Sequence, residues 1–129
     1  MRVHHIGYLV KKIDKALPQF EGLGFVSEGE IVYDEIRDID ILFMINGDYR
    51  IELVSPKSEK SVTWDLLKKM GASPYHLCYY SSNIEADISK LRESGYIPAG
   101  EPLPAPAFNN RRVVFLYSRH AGMIELVEE

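Results

Sequence analysis

The sequence predicts an α+β fold built from one βαβββ module used twice. Two observations carry that prediction. The chain repeats itself, and within each half the hydrophobic period changes from two to 3.6 and back to two. His5-Ile6-Gly7-Tyr8-Leu9-Val10 stands above His76-Leu77-Cys78-Tyr79-Tyr80-Ser81 at an offset of 71 residues. Along the same offset Ile13 meets Ile84, Leu17 meets Ile88, Phe20 meets Leu91 and Gly24 meets Gly95. Ile51-Glu52-Leu53-Val54 returns verbatim as Ile124-Glu125-Leu126-Val127, at an offset of 73.

Each half opens with a strand. Alternation at residues 5–10 and 76–81 predicts it, with His5, Gly7 and Leu9 on one face. Ile13, Leu17, Phe20 and Ile84, Ile88, Leu91 have the spacing of one buried helical stripe. Asp14 is the expected N-cap of the first helix, and Pro18 is expected near its first turn. Gly24 and Gly95 stand where a helix end needs a left-handed residue. Strands are expected at 25–33, 37–46 and 49–55, with Asn46-Gly47-Asp48 as a hairpin turn, and at 96–100, 112–118 and 122–128. Ser61–Met70 is expected to be a connecting helix stopped by Gly71, and the Pro-rich stretch 102–110 a loop. The chain of 129 residues is then a single domain: module one at about 1–56, a connecting helix at about 57–73 and module two at about 74–129.

Composition excludes several classes of function. The net charge of −4, with no basic run longer than a pair such as Lys11-Lys12, argues against nucleic acid. No apolar stretch approaches the ~20 residues of a membrane span, and no signal peptide is expected. Cys78 is the one cysteine, so no intrachain disulfide can form, and a cytoplasmic location is expected.

Each half contributes a histidine from its first strand and a glutamate from its last. If equivalent positions of the repeat face each other, His5, Glu52, His76 and Glu125 form a first shell for one divalent metal ion, with Ni²⁺, Co²⁺ and Zn²⁺ foremost. Glu52 and Glu125 each lie between branched aliphatics, where a carboxylate is costly to bury without a cation. For either glutamate alone, exposure by alternation would be the simpler reading; duplication with a repeated histidine reverses it. His4, on the other strand face, and His120, beside Ala121-Gly122, are expected outside the set. Cys78 shares a face with His76 and is expected to be a small buried side chain, and Trp64 and Tyr75 to pack. Asn109 in the Pro-rich loop, and Arg111 or Arg112 behind it, are candidates to bind an anionic group of a substrate.

With these residues in place, the chain resembles the vicinal oxygen chelate superfamily, which includes glyoxalase I and methylmalonyl-CoA epimerase. The pieces that carry the resemblance are the two opening strands, Ile51 to Pro56, Tyr75 to Tyr79, Arg112 to Leu116 and Gly122 to Leu126. The resemblance implies a cupped, barrel-like mixed sheet with helices outside, a homodimer, and metal-assisted proton abstraction next to a carbonyl. It also implies roles: Glu125 as principal base and Glu52 as its counterpart. Glyoxalase I uses a His/Glu/His/Glu set and epimerases usually carry Gln at the second position, so Glu52 tilts the expectation to glyoxalase I. Epimerase is the alternative, because Ser55 to Gly71 and Arg112 to Leu116 resemble it more closely. A metal-free binding module of the same fold is the non-catalytic alternative.

Overall fold

The computed structural model describes all residues, 1–129, as ten strands and three α-helices. Packing divides the chain into two units, His5–Tyr75 and His76–Glu129, the latter joined by Met1–His4. The elements of the first half are β1 (Val3–Leu9), α1 (Ile13–Glu21), β2 (Val26–Ser27), β3 (Val32–Asp34), β4 (Ile39–Asn46) and β5 (Tyr49–Pro56), and after them α2 (Trp64–Met70). The second half has β6 (Ser73–Ser81), α3 (Ile84–Glu93), β7 (Ile97–Pro98), β8 (Leu103–Pro104), β9 (Arg112–Ser118) and β10 (Gly122–Glu128). Each half is one strand, one helix and four strands, so the βαβββ plan is present twice with one short extra strand in each half. None of the helices is long and apolar enough to cross a membrane.

In the N-terminal unit the strands run in the order β2-β4-β5-β1, with β3 also on β4. β1 and β5 are parallel and the β4–β5 hairpin is antiparallel. The C-terminal unit repeats the pattern as β6-β10-β9-β7, with β8 on β9 and with β6 parallel to β10. Each unit's sheet is mixed and open.

One face of each sheet is covered by a helix. In the N-terminal unit Leu42, Met44, Ile51 and Leu53 pack with Ile13, Leu17 and Phe20 of α1. In the C-terminal unit Val114, Leu116, Ile124 and Leu126 pack with Ile84, Ile88 and Leu91 of α3. The helix stripes inferred from spacing are thus the ones packed on the two cores, with Ile13 and Ile84 buried. Both helices also end alike. Gly24 and Gly95 adopt φ of 99° and 92°, and the next residue's N–H returns to the carbonyl five positions earlier, Phe25 to Phe20 and Tyr96 to Leu91.

Local details differ from the sequence expectations. Lys12, not Asp14, holds the N-cap position of α1 and makes no side-chain cap. Asp14 lies in the first turn, where its charge meets the positive helix end. Pro18 lies inside α1, past its first turn, and leaves the carbonyl of Asp14 without its helical bond. The expected strand at 25–33 is two short ones, interrupted around Gly29, whose φ is 82°. The stretch 102–110 is not all loop. Leu103 and Pro104 pair with Val113 and Arg112, and Pro106–Phe108 forms a 3₁₀ turn. Proline cannot donate to a ladder but is tolerated on an edge strand, so proline content hides this short strand.

Candidate metal centre

β5 is buried at every position from Ile51 to Ser55. Ile51 and Leu53 point to the α1 core, so Glu52 points to the opposite face and is 3% exposed there. The strand is covered on both faces, and alternation does not deliver its glutamate to water. β10 behaves identically. Ile124 and Leu126 join the α3 core, and Glu125 is 4% exposed on the other face.

Register supplies the histidines. Gly7 lies beside Glu52 in the β1–β5 pairing, and His5 is two residues earlier on the same face. His5 Nε2 stands 3.4 Å from Glu52 Oε1, both side chains buried. In the C-terminal unit Cys78 lies beside Glu125, His76 is two residues earlier, and His76 Nε2 stands 3.6 Å from Glu125 Oε1.

A third residue, which sequence reasoning misses, completes each arrangement. Phe43 is directly opposite Glu52 across the hairpin, and Phe115 is opposite Glu125. The His5 and Phe43 rings meet edge to face at 5.4 Å, and the His76 and Phe115 rings at 5.0 Å. Each phenyl ring restricts the imidazole's rotation and keeps water from one side of it. The repeat holds the signal, since Phe43 and Phe115 occupy equivalent positions of the two hairpins.

The two His–Glu contacts test whether a cation suits these residues. They exceed the 2.7–3.2 Å of a well-formed N–H···O bond. Two ligand atoms bonded at about 2.1 Å to one tetrahedral ion stand about 3.4 Å apart. Each pair thus has the separation of two donors aimed at a common ion. A divalent ion would bind these imidazoles in their neutral form and would offset the charge of the two buried carboxylates. All four residues are buried and each offers one nitrogen or oxygen ligand atom.

The other candidates stand outside these four. His4 is half-buried, with its ring edge on Tyr80 at 5.0 Å and Phe108 at 5.2 Å. His120 is exposed in the β9–β10 turn, and Cys78 is fully buried. Trp64 and Tyr75 are half-buried. Asn109 is exposed and left-handed, with φ 56°, at the end of the 3₁₀ turn. Arg111 donates to the Phe108 and Glu128 carbonyls and lines an open cleft with Ser82, Asn83 and Glu128. Arg112 is clamped between acids: Nη2 to Glu128 at 2.5 Å and Nη1 to Glu85 at 2.7 Å. These bonds from Arg112 hold both carboxyls below their usual range and raise the guanidinium's own pKa.

Comparison with known proteins agrees with this architecture. A hypothetical protein from Bacillus halodurans superposes with a TM-score of 0.88 at 28% identity, over 99% of this chain and 94% of that one. Methylmalonyl-CoA epimerase from Mycobacterium tuberculosis superposes with a TM-score of 0.84 at 25% identity, over 98% and 86%. Ethylmalonyl-CoA/methylmalonyl-CoA epimerase of Cereibacter sphaeroides is 24% identical, over 92% of this chain and 89% of its own. The family model spans residues 4–115, and the chain belongs to the glyoxalase/bleomycin resistance protein/dioxygenase superfamily.

Proposed function

We propose that the protein is a metal-dependent epimerase of a 2-alkylmalonyl-CoA thioester, and that its two units act as one domain. In this reading His5, Glu52, His76 and Glu125 together hold one divalent ion, with Ni²⁺, Co²⁺ or Zn²⁺ the first to test. The observation that carries it is the duplicated buried His–Glu pair in a chain similar to epimerases of this substrate class. The glyoxalase I expectation rests on Glu52 alone, and the similarity to epimerases reverses the order of the two readings.

The chemistry needs a base on each side of one carbon. Glu125 takes the α-proton, breaking the C–H bond and leaving its electron pair in the enolate of the thioester. Glu52, protonated, returns a proton to the opposite face, and the α-carbon inverts. The bound ion supplies Lewis-acid stabilisation of charge developing on the substrate oxygens. His5 and His76 hold their rings against Phe43 and Phe115 throughout. Of Asn109, Arg111 and Arg112, Arg111 is the one lining an open cleft, which it shares with Glu85, Glu128 and Glu129, and it is the candidate to meet an anionic part of the substrate. A homodimer belongs to the same proposal and is read by light scattering.

The test is one preparation with its metal measured. Deuterium from solvent should enter methylmalonyl-CoA at the α-carbon, and S-lactoylglutathione should not form from methylglyoxal and glutathione. The reverse pair of results restores glyoxalase I. A preparation that binds no metal and catalyses neither reaction supports the binding module.

A further inference from the structure

The duplicated arrangement has one conspicuous mismatch. The residue in register with Glu52 is Gly7, whereas the residue in register with Glu125 is Cys78. Both positions are buried, both are two residues beyond the histidine, and both face the side on which His and Glu lie. Beside Glu125 a thiol fills the space. At the equivalent position beside Glu52, Gly7 presents no side chain.

The next positions on the Gly7 face are apolar. Beyond Gly7 the same face continues with Leu9, beyond Glu52 with Val54, and Ile41 is opposite Val54. Leu9 and Val54 are fully buried and Ile41 is 4% exposed. Glu52 thus has His5 and Phe43 on one side and, past Gly7, three buried aliphatics on the other, where a small alkyl group of a carbon acid would find apolar company.

We propose that Gly7 sets the size of the α-alkyl group: the substituent lies over Gly7 beside Glu52, while the Cys78 side chain closes the matching space beside Glu125. The inference rests on the epimerase reading and adds to it a residue that selects among 2-alkylmalonyl thioesters. Methyl and ethyl substituents are the relevant pair, differing by one methylene. In an apolar pocket, one methylene of misfit changes kcat/KM by about 10–200-fold.

The experiment measures α-deuterium exchange into methylmalonyl-CoA and ethylmalonyl-CoA, each against metal content and melting temperature. Wild-type protein, Gly7→Ala and Cys78→Gly are compared. Gly7→Ala should lower the ethyl-to-methyl ratio of kcat/KM at least tenfold with metal content unchanged. Cys78→Gly, which opens the matching space beside Glu125, should not lower that ratio. Should Gly7→Ala fail to fold, Gly7→Ser at lower temperature and Leu9→Phe, which narrows the same gap from behind, replace it with the same expected fall. A ratio unmoved in folded, metal-replete Gly7 and Leu9 variants overturns the size assignment and leaves the epimerase reading intact. Wild-type protein that exchanges neither substrate overturns the epimerase reading, and the size assignment with it.

Discussion

The N-terminal and C-terminal half-sites repeat the same three side chains in the same register. Histidine, glutamate and phenylalanine stand on neighbouring strands β1, β5 and β4 in one, and on β6, β10 and β9 in the other. They differ at Gly7 against Cys78, and again two residues further along the strand. There the N-terminal strand carries Leu9, fully buried, and the C-terminal one Tyr80, which is half-buried under the Arg2 guanidinium at 4.4 Å. Side-chain identity is kept at the histidine, the glutamate and the phenylalanine and released at the next position on the same face. Duplication supplies a symmetric set of donors, and substitution beside it makes the two carboxylates inequivalent. Two-base inversion requires only that the carboxylates reach opposite faces of one carbon, so their inequivalence bears on which substituent is accepted.

The largest expected effect comes from removing the ion. Chelation should abolish proton exchange and lower the melting temperature, because a ligand bound to the native state adds stability in proportion to its saturation. In chelated protein Glu52→Gln and Glu125→Gln should each melt higher than wild type, since a neutral amide avoids the cost of burying a carboxylate charge. Calorimetry with and without metal checks this. A metal-free wild type that melts above both variants would show that the carboxylates stabilise the fold without an ion.

Next in size is the difference between the two glutamates. Glu125→Gln should lower kcat by about 10²–10⁴, the usual contribution of a general base. Glu52→Gln should keep its metal, since the amide oxygen still ligates. It should also keep α-proton exchange from one stereoisomer while inversion falls by a similar factor. Chiral analysis of the product during deuterium exchange separates the two. If Glu52→Gln inverts at the wild-type rate, Glu52 is a ligand and no base.

The rings and the core give smaller effects. Phe43→Leu and Phe115→Leu should each lower kcat about tenfold by loosening an imidazole, an effect of the size found when groups supporting metal ligands are lost. Leu53→Ala and Leu126→Ala, at equivalent fully buried positions of the two cores, should each cost about 2–5 kcal/mol in denaturant unfolding. A biphasic transition in either variant would show that one unit unfolds first.

The sequence exposes what repeats and hides what does not. The helix stripes, the left-handed glycines and the four ligand candidates are legible because each appears twice, and chance rarely reproduces a pattern at a fixed offset. Phe43 and Phe115 escape notice because an aromatic residue in a strand has an ordinary packing explanation. Burial of Glu52 requires that both faces of β5 be covered, which alternation within one strand cannot reveal. β8 is hidden because its Leu103–Pro104 pair has no strand signal without its partner β9. Arg112 reads as a substrate ligand by alternation, yet its position opposite Glu128 depends on a hairpin register set by tertiary pairing.

That last cluster gives the smallest prediction, and another comparison between the units. In the N-terminal unit Arg50 bridges to the single carboxylate of Glu28, Nε to Oε1 at 2.7 Å. In the C-terminal unit Arg112 joins two, tying the first turn of α3 through Glu85 to the end of β10 through Glu128. Its bonds hold both carboxyls below their ordinary 4.5 in the folded protein. Groups with lowered native pKa stabilise the fold above their unfolded value, and that stabilisation is lost as pH falls through the native value. Arg112→Gln should therefore lower the melting temperature at pH 7, and the gap to wild type should close as pH drops below the carboxylate range. The cluster is solvent-exposed, so salt should shrink the pH 7 gap as well. Arg50→Gln should show the same trend with a smaller gap. Melting curves at pH 7 and 3, in low and high salt, decide it. A gap that persists at pH 3 would mean that Arg112 acts through the packing of its stem across β9, and charge would not be its contribution.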